Sequence, residues 1–182
     1  MKKIIIFVAL KSELEHFEHP NVEIHYTGVG KVNAAIKATQ VISQIDNNSL
    51  VINYGSAGSN SLPNEIFKCT KFTQADMDAR PLELIGVTPF DNIIYPEIPP
   101  VIEFEFEGYI CHTYDCFQNN PKDQIVDMEA YAIAKVCKIY KRNFISYKYI
   151  SDSGDSNEWK NNHMNGADLF LNILKNDYLN TL

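Results

Sequence analysis

The acidic residues with the most chemical promise lie in two short stretches, Val126-Asp127-Met128-Glu129-Ala130-Tyr131-Ala132 and Tyr149-Ile150-Ser151-Asp152-Ser153-Gly154-Asp155. Each reads as the end of a buried strand that carries an acidic residue into a loop or a helix start. In an open α/β sheet, the crevice beyond the carboxyl ends of the strands is where ligands bind. Glu129 is expected in the first turn of a helix running to Tyr140, where the helix dipole would keep its carboxylate ionised and a good acceptor for sugar hydroxyls. Asp152 follows the apolar run 144–150. Two carboxylates on neighbouring strand ends suit bond cleavage at a sugar centre.

Such carboxylates need a sheet to hold them, and the apolar pattern supplies one. Residues 3–9, 22–26, 50–54, 66–73, 107–112, 124–127 and 143–150 read as strands. Helices are expected over 32–45, ended by Asp46-Asn47-Asn48, over 129–140, and over 157–178, the last loosened at Gly166. Residues 11–17 read as a helical turn or short helix stopped before Pro20. Three of the eight prolines fall in 91–100, which must be loop or edge. Glycine turns are expected at Thr27-Gly28-Val29-Gly30-Lys31 and at Gly55-Ser56-Ala57-Gly58, which closes the strand before it. The alternation of strand and helix predicts an α/β chain: a single domain over 1–182, three-layer αβα, with a central mixed, mainly parallel sheet.

At 182 residues the chain can bury a sizeable core, and 45% hydrophobic against 21% charged residues is a globular balance. A net charge of −7 argues against a nucleic-acid backbone or an anionic membrane as partner, and leaves room for a nucleotide-sized ligand. The longest apolar run, 4–10, is too short to span a bilayer and reads as the first strand rather than a signal peptide. Cys69, Cys111, Cys116 and Cys137 lack CxxC spacing and read as small buried hydrophobes in a reducing cytoplasm. His16, His19, His25, His112 and His163 form no ligand pattern, so no metal site is expected.

Four further blocks line up with the first two: Ala9-Leu10-Lys11-Ser12-Glu13, Thr27-Gly28-Val29-Gly30-Lys31-Val32-Asn33-Ala34-Ala35, Val51-Ile52-Asn53-Tyr54-Gly55-Ser56-Ala57-Gly58 and Thr113-Tyr114-Asp115-Cys116-Phe117. In this order the six resemble the nucleosidase branch of the purine nucleoside phosphorylase superfamily, most of all the methylthioadenosine/S-adenosylhomocysteine nucleosidases. The resemblance runs from the first strand to the last helix. It implies the superfamily's fold and hydrolysis of the N-glycosidic bond of an adenine nucleoside, giving free adenine and a ribose derivative. It also implies no cofactor, a small-molecule purine nucleoside as partner, and a cytoplasmic homodimer.

Carried across residue by residue, the resemblance makes Asp152 the acid that protonates purine N7 and Glu13 the residue that activates the attacking water. Glu129 and Met128 would clamp the ribose, Ser56 would help place the water or sugar, and Phe117 would stack on the base with Gln118 at its edge. Ala57, Gly58, Lys148 and Ser151 complete the substrate-binding set. Lys148 stands where these nucleosidases usually carry an arginine contacting ribose and water, and Tyr114 where a glycine is usual. The chain is also shorter than typical relatives, mainly between Arg80 and Cys111, on the 5′ side of the sugar. The segment Phe72-Thr73-Gln74-Ala75-Asp76-Met77-Asp78 and the run Gly86-Val87-Thr88-Pro89-Phe90 are more similar to AMP-nucleosidase-like relatives.

Bond chemistry asks for the same parts. Breaking C1′–N9 builds positive charge on the ribose and negative charge on the leaving base. General acid or base help at each end is worth roughly 3–5 kcal/mol. To hold a proton at neutral pH, Asp152 needs a pKa raised by about 3 from the usual aspartate value, at a cost of roughly 4 kcal/mol. Desolvation beside a bound base can supply that. Taken singly, these residues have blander readings. Gly28–Lys31 lacks phosphate-loop spacing and reads as a tight turn; 152–155 does not continue as an EF-hand; Asp155, Ser156 and Asn157 suit helix caps. Asp76 and Asp78 suit a solvated loop, and Lys148 inside an apolar strand needs a partner. Besides the hydrolase, two readings stay open: a phosphorylase, and a catalytically weak nucleoside-binding protein. Both arginines, Arg80 and Arg142, fall away from the expected crevice, which favours water over phosphate as nucleophile.

Overall fold

Ile4-Ile5-Ile6-Phe7-Val8 offers no polar face to solvent, so it can only be an interior strand. In the computed structural model of the chain, which describes residues 3–15 and 17–180, it is β1 (Ile4–Val8), buried on both faces. It pairs in parallel with β2 (Val22–Tyr26) on one side and β3 (Leu50–Gly58) on the other. Helix α1 (Lys31–Ile42) joins β2 to β3. The chain continues through β4 (Ile66–Gln74), the single turn α2 (Asp91–Ile94), β5 (Val101–Glu103), β6 (Tyr109–Thr113) and β7 (Val126–Asp127). It ends with α3 (Ala130–Ile139), β8 (Asn143–Asp152), α4 (Ser156–Asn162) and α5 (Ala167–Ile173), which runs into a π-helical turn at Leu174–Leu179. No described helix is long and apolar enough to cross a membrane.

The sheet is mixed and mainly parallel. Pairings β1·β2, β1·β3, β3·β8, β4·β6 and β6·β7 are parallel, whereas β3·β7, β4·β5 and β4·β8 are antiparallel. An open sheet is what the element pattern implies. Instead, β3, β8, β4, β6 and β7 pair in a closed circuit, with β1 and β2 extending from β3 and β5 from β4. The closing pairs are distant in sequence and leave no local signal.

Period-two alternation divides the core. Ile5, Phe7, Val51 and Phe144 face one way, against Ala34, Ala38 and Ile42 of α1 and Ala130, Ile133, Ala134 and Cys137 of α3. Ile4, Ile6, Val8, Ile52, Tyr54, Ile145 and Tyr147 face the other way, against Phe170 and Leu174. Each fully buried Ile or Phe contributes roughly 1.5–3 kcal/mol. Helices thus cover both faces.

Three differences from the sequence reading exceed two residues. β3 does not close at Tyr54 but runs through Gly55–Gly58, because β8 pairs with it along its whole length, with a register shift at Ala57/Gly58. α1 stops three residues before Ile45, at Ile42. The closing helix is two helices, and Gly166 lies at the join. Segment 11–17 is turn where it is described; His16 lies outside the described residues.

Gly166 is where α5 meets the sheet. A Cβ there would stand 2.7 Å from Tyr54 Oη and closer still to the Tyr149 ring. Tyr54 in turn stacks on Phe170, ring centroids 4.4 Å apart. We predict that Gly166→Ala destabilises the protein by about 1–3 kcal/mol, as overpacking does, read as a lowered denaturant midpoint; an unchanged midpoint would contradict this packing.

Candidate functional site

The segments leaving β1, β3, β7 and β8 surround a cavity of ≈ 190 Å³. Of the residues singled out from the sequence, Glu13, Ser56, Ala57, Gly58, Phe117, Gln118, Met128, Glu129 and Asp152 line it. Lys148 and Ser151 do not. Glu13 and Asp152 are 139 apart in sequence, so only the fold brings them together (152 − 13).

Glu13 is 3% exposed and held by the backbone around it. Its Oε2 accepts from Leu10 N at 3.0 Å. Its Oε1 accepts from Ser56 N at 2.8 Å and from the Ser56 hydroxyl at 2.7 Å. Three donors fix the carboxylate at the edge of the cavity.

Beneath the cavity floor lies a buried ion pair. Lys148 Nζ stands 2.7 Å from Asp127 Oδ2, and neither side chain reaches solvent. Burial opposes both charges, but each partner outweighs it: Lys148, with help from Thr113 and the Ala130 amide, holds the Asp127 carboxyl below its usual range. Asp127 likewise raises Lys148. The lysine therefore does not line the cavity, unlike the ligand-contacting position that the family resemblance implies for it; its charge is committed to Asp127. The aspartate also completes the N-terminus of α3. Asp127 Oδ2 accepts from Ala130 N at 2.7 Å and Glu129 N at 3.2 Å, and Thr113 Oγ1 accepts from Tyr131 N at 2.9 Å while donating to Asp127 Oδ1 at 2.6 Å.

Glu129 precedes the first turn of α3 instead of lying in it. Its Oε1 accepts from Gly30 N at 2.9 Å, so an amide of the glycine turn serves a carboxyl group. Burial, then the neighbouring Asp127 charge, push its pKa up to about 8 against the pull of Lys148 and Gly30. The dipole argument for an ionised Glu129 is thereby overturned in the free protein: desolvation wins.

Asp152 ends β8. Its Oδ2 accepts from the buried Ser151 hydroxyl at 2.8 Å and its Oδ1 from Gly154 N at 2.9 Å. Burial raises its pKa, Glu158 and Asp155 add to that, and the two hydrogen bonds oppose it. Gly154 has φ 93°, and a Cβ there would meet Gln118 O at 2.7 Å. The loop carrying Phe117 and Gln118 thus rests directly on the turn after Asp152. Phe117 remains 39% exposed, a free aromatic face at the cavity mouth.

Around the site, Asp76 pairs with Lys31, and its Oδ2 accepts from Asp115 N at 2.6 Å, so it ties the glycine turn to the loop after β6 rather than standing solvated. Tyr114 points its hydroxyl at Asp123 and does not line the cavity. Asp155 caps α4 through Asn157 N at 2.7 Å. Among the described residues no cluster of three or more His, Cys, Asp or Glu is arranged to hold a metal ion. Sequence reasoning missed Trp159, which lines the cavity, and the structural part of Asp127. A lone tryptophan carries no spacing signal; Asp127 lay inside a quoted block and could have been paired with Lys148.

No family model matches the chain. It is 27% identical over 169 residues to a 5′-methylthioadenosine/S-adenosylhomocysteine nucleosidase of Staphylococcus carnosus, covering 78% of this chain and 74% of that one. Among solved structures, it is similar to the Helicobacter pylori nucleosidase of the same name, in complex with a pyrrolopyrimidine-bearing pyrrolidine, with TM-score 0.79 at 18% identity over 100% of this chain and 99% of that one. A Colwellia psychrerythraea nucleosidase in complex with adenine gives TM-score 0.72 at 21% identity, covering 92% of this chain and 90% of that one. The chain is similar to the methylthioadenosine/S-adenosylhomocysteine nucleosidases in sequence and in fold. The nucleosidase resemblance read from its six blocks and the structural likeness agree.

Glu129 makes a pH signature. Its folded pKa of about 8 lies above the ordinary 4.5, so the folded state keeps a proton that the unfolded chain has lost. That stabilisation is fully present below the ordinary value and disappears as pH rises through the folded one. The ligand-free protein should therefore melt at progressively lower temperature between pH 5 and pH 8, and Glu129→Gln should flatten that slope. Thermal melts across the range decide it; a Gln variant with the full wild-type slope would refute the assignment.

Proposed function

We propose that this chain hydrolyses the N-glycosidic bond of an adenine nucleoside, of the methylthioadenosine or S-adenosylhomocysteine kind, to free adenine and a ribose derivative. One observation carries the reading: Glu13, Glu129 and Asp152 converge on a single cavity with an aromatic face at its mouth. Asp152 is the general acid toward the purine, a role supported by burial that favours its protonated form. Glu13 is the base toward water, with Ser56 beside it. Glu129 and Met128 hold the ribose, and Phe117 and Gln118 the base. Lys148 and Ser151 serve from behind, the first through Asp127 and the second through Asp152.

Water rather than phosphate is the nucleophile. Three carboxyl groups line the cavity, from Glu13, Glu129 and Asp152, with the paired Asp127 carboxylate buried beneath them. Both arginines and Lys148 are committed elsewhere: Arg80 to Asp78, Arg142 to the Tyr140 and Ile45 carbonyls, Lys148 to Asp127. A phosphate dianion needs donors that this lining does not supply, and the same shortage disfavours a 5′-phosphate. That weighs against the phosphorylase and AMP-nucleosidase readings. We further take 1–182 as one three-layer αβα domain of the nucleoside phosphorylase type that works in the cytoplasm. The exposed Phe90, Ile93 and Ile94, 61–72% accessible, support a homodimer; a single-chain mass at micromolar concentration would count against that part.

Incubated with 5′-methylthioadenosine in phosphate-free buffer, the protein should release adenine, and AMP should be a far poorer substrate. Asp152→Asn should lower turnover by about a hundredfold or more with the fold retained. Near-wild-type turnover in Asp152→Asn, or ribose 1-phosphate as a phosphate-dependent product, would overturn the assignment.

A further inference from the structure

Glu13 and Ser56 are not held by the sheet alone. Helix α4 crosses back over the cavity and places Trp159 in its wall. The indole Nε1 donates to Ser56 Oγ at 3.0 Å, and that hydroxyl donates onward to Glu13 Oε1 at 2.7 Å. An indole N–H can only donate, so Ser56 Oγ must accept from it and spend its own proton on Glu13. The other face of the arrangement is anchored as well. Trp159 stacks on His163 with centroids 4.7 Å apart and an interplanar angle of 21°. His163 Nδ1 donates to the Trp159 carbonyl at 3.0 Å, which leaves Nε2 to accept from the Ser12 hydroxyl at 3.1 Å. Ser12 is the neighbour of Glu13, so α4 grips the Glu13 turn at two points.

We propose that Trp159 is a positioning residue for the water-activating pair, fixing the Ser56 hydroxyl so that it donates to Glu13 and presents only a lone pair to the ligand. This rests on the hydrolase reading above. Ser56 then accepts from an incoming water or sugar hydroxyl and cannot donate to it. Both groups at this end of the cavity are acceptors, which orients a water with its hydrogens toward Glu13 and Ser56 and its oxygen lone pair outward. Trp159 acts on the reaction only through that orientation.

The chain has one tryptophan, so the indole reports on its own site. Adenine titrated into the wild-type protein should change its emission, excited at the red edge, saturably; an emission that does not respond would overturn the placement of Trp159 against the ligand, whatever the variants do. Trp159→Phe keeps the ring on His163 and removes the N–H. Its kcat should fall about fivefold to tenfold, the size of one hydrogen bond, with KM within about twofold, since the ligand's binding contacts remain. Ser56→Ala should remove the same benefit, and adding Trp159→Phe to it should cost nothing more. An additive double variant, or an unchanged kcat in Trp159→Phe, would overturn the proposal while leaving the hydrolase reading intact. A wild-type protein that releases no adenine from any nucleoside ends both.

Discussion

Everything around the cavity depends on the ion pair between Asp127 and Lys148. β7 is two residues long; it meets β3 at a single rung, Gly58 opposite Val126, and β6 at two, His112 opposite Val126 and Thr113 opposite Asp127. Lys148 lies on β8 opposite both Gly55 of β3 and Phe67 of β4, so its charge pins β7 to the middle of the strand circuit. The same aspartate receives the first amides of α3, which sets where Glu129 begins. Stranding either charge in that interior would cost roughly 3–5 kcal/mol. A lysine is served by one partner, and Asp127 is within its reach.

Four carboxyl groups around one small cavity are tolerable because their surroundings separate them. Asp127 keeps its charge against a buried cation. Glu129, sharing that burial without a cation of its own, is driven toward its neutral form. Asp152 moves the same way, restrained by Ser151 and Gly154. Glu13 is met by three donors from two different segments. Groups whose environments push their proton affinities apart can divide acid and base work between them.

Much of this was legible in the chain. The bounds of β2 follow from its apolar run, and the first strand, the glycine turn and the acidic ends of β7 and β8 fell where pattern and punctuation put them. Local signals failed where distant partners decided the outcome. Gly55 and Gly58 look like a turn in isolation, but β8 recruits them into β3. The helix expected over 157–178 breaks near Gly166 because two tyrosines of the sheet occupy the space beneath it. Glu129 was misjudged electrically for a similar reason: a helix terminus is visible in sequence, and the degree of burial is not. Trp159 carried no pattern at all, and only the folded path of α4 gives it meaning.

Gly154 has a mechanical consequence. Because the Gln118 carbonyl and the Asn120 amide sit where a side chain at 154 would be, the aromatic flap and the turn that carries Asp152 are two halves of one clasp. Asn60 fastens the outer half, bonding to the Pro121 carbonyl at 3.0 Å. A side chain at 154 would press on residues 118–121 and on the turn after Asp152 at once, so neither segment can be repacked without the other.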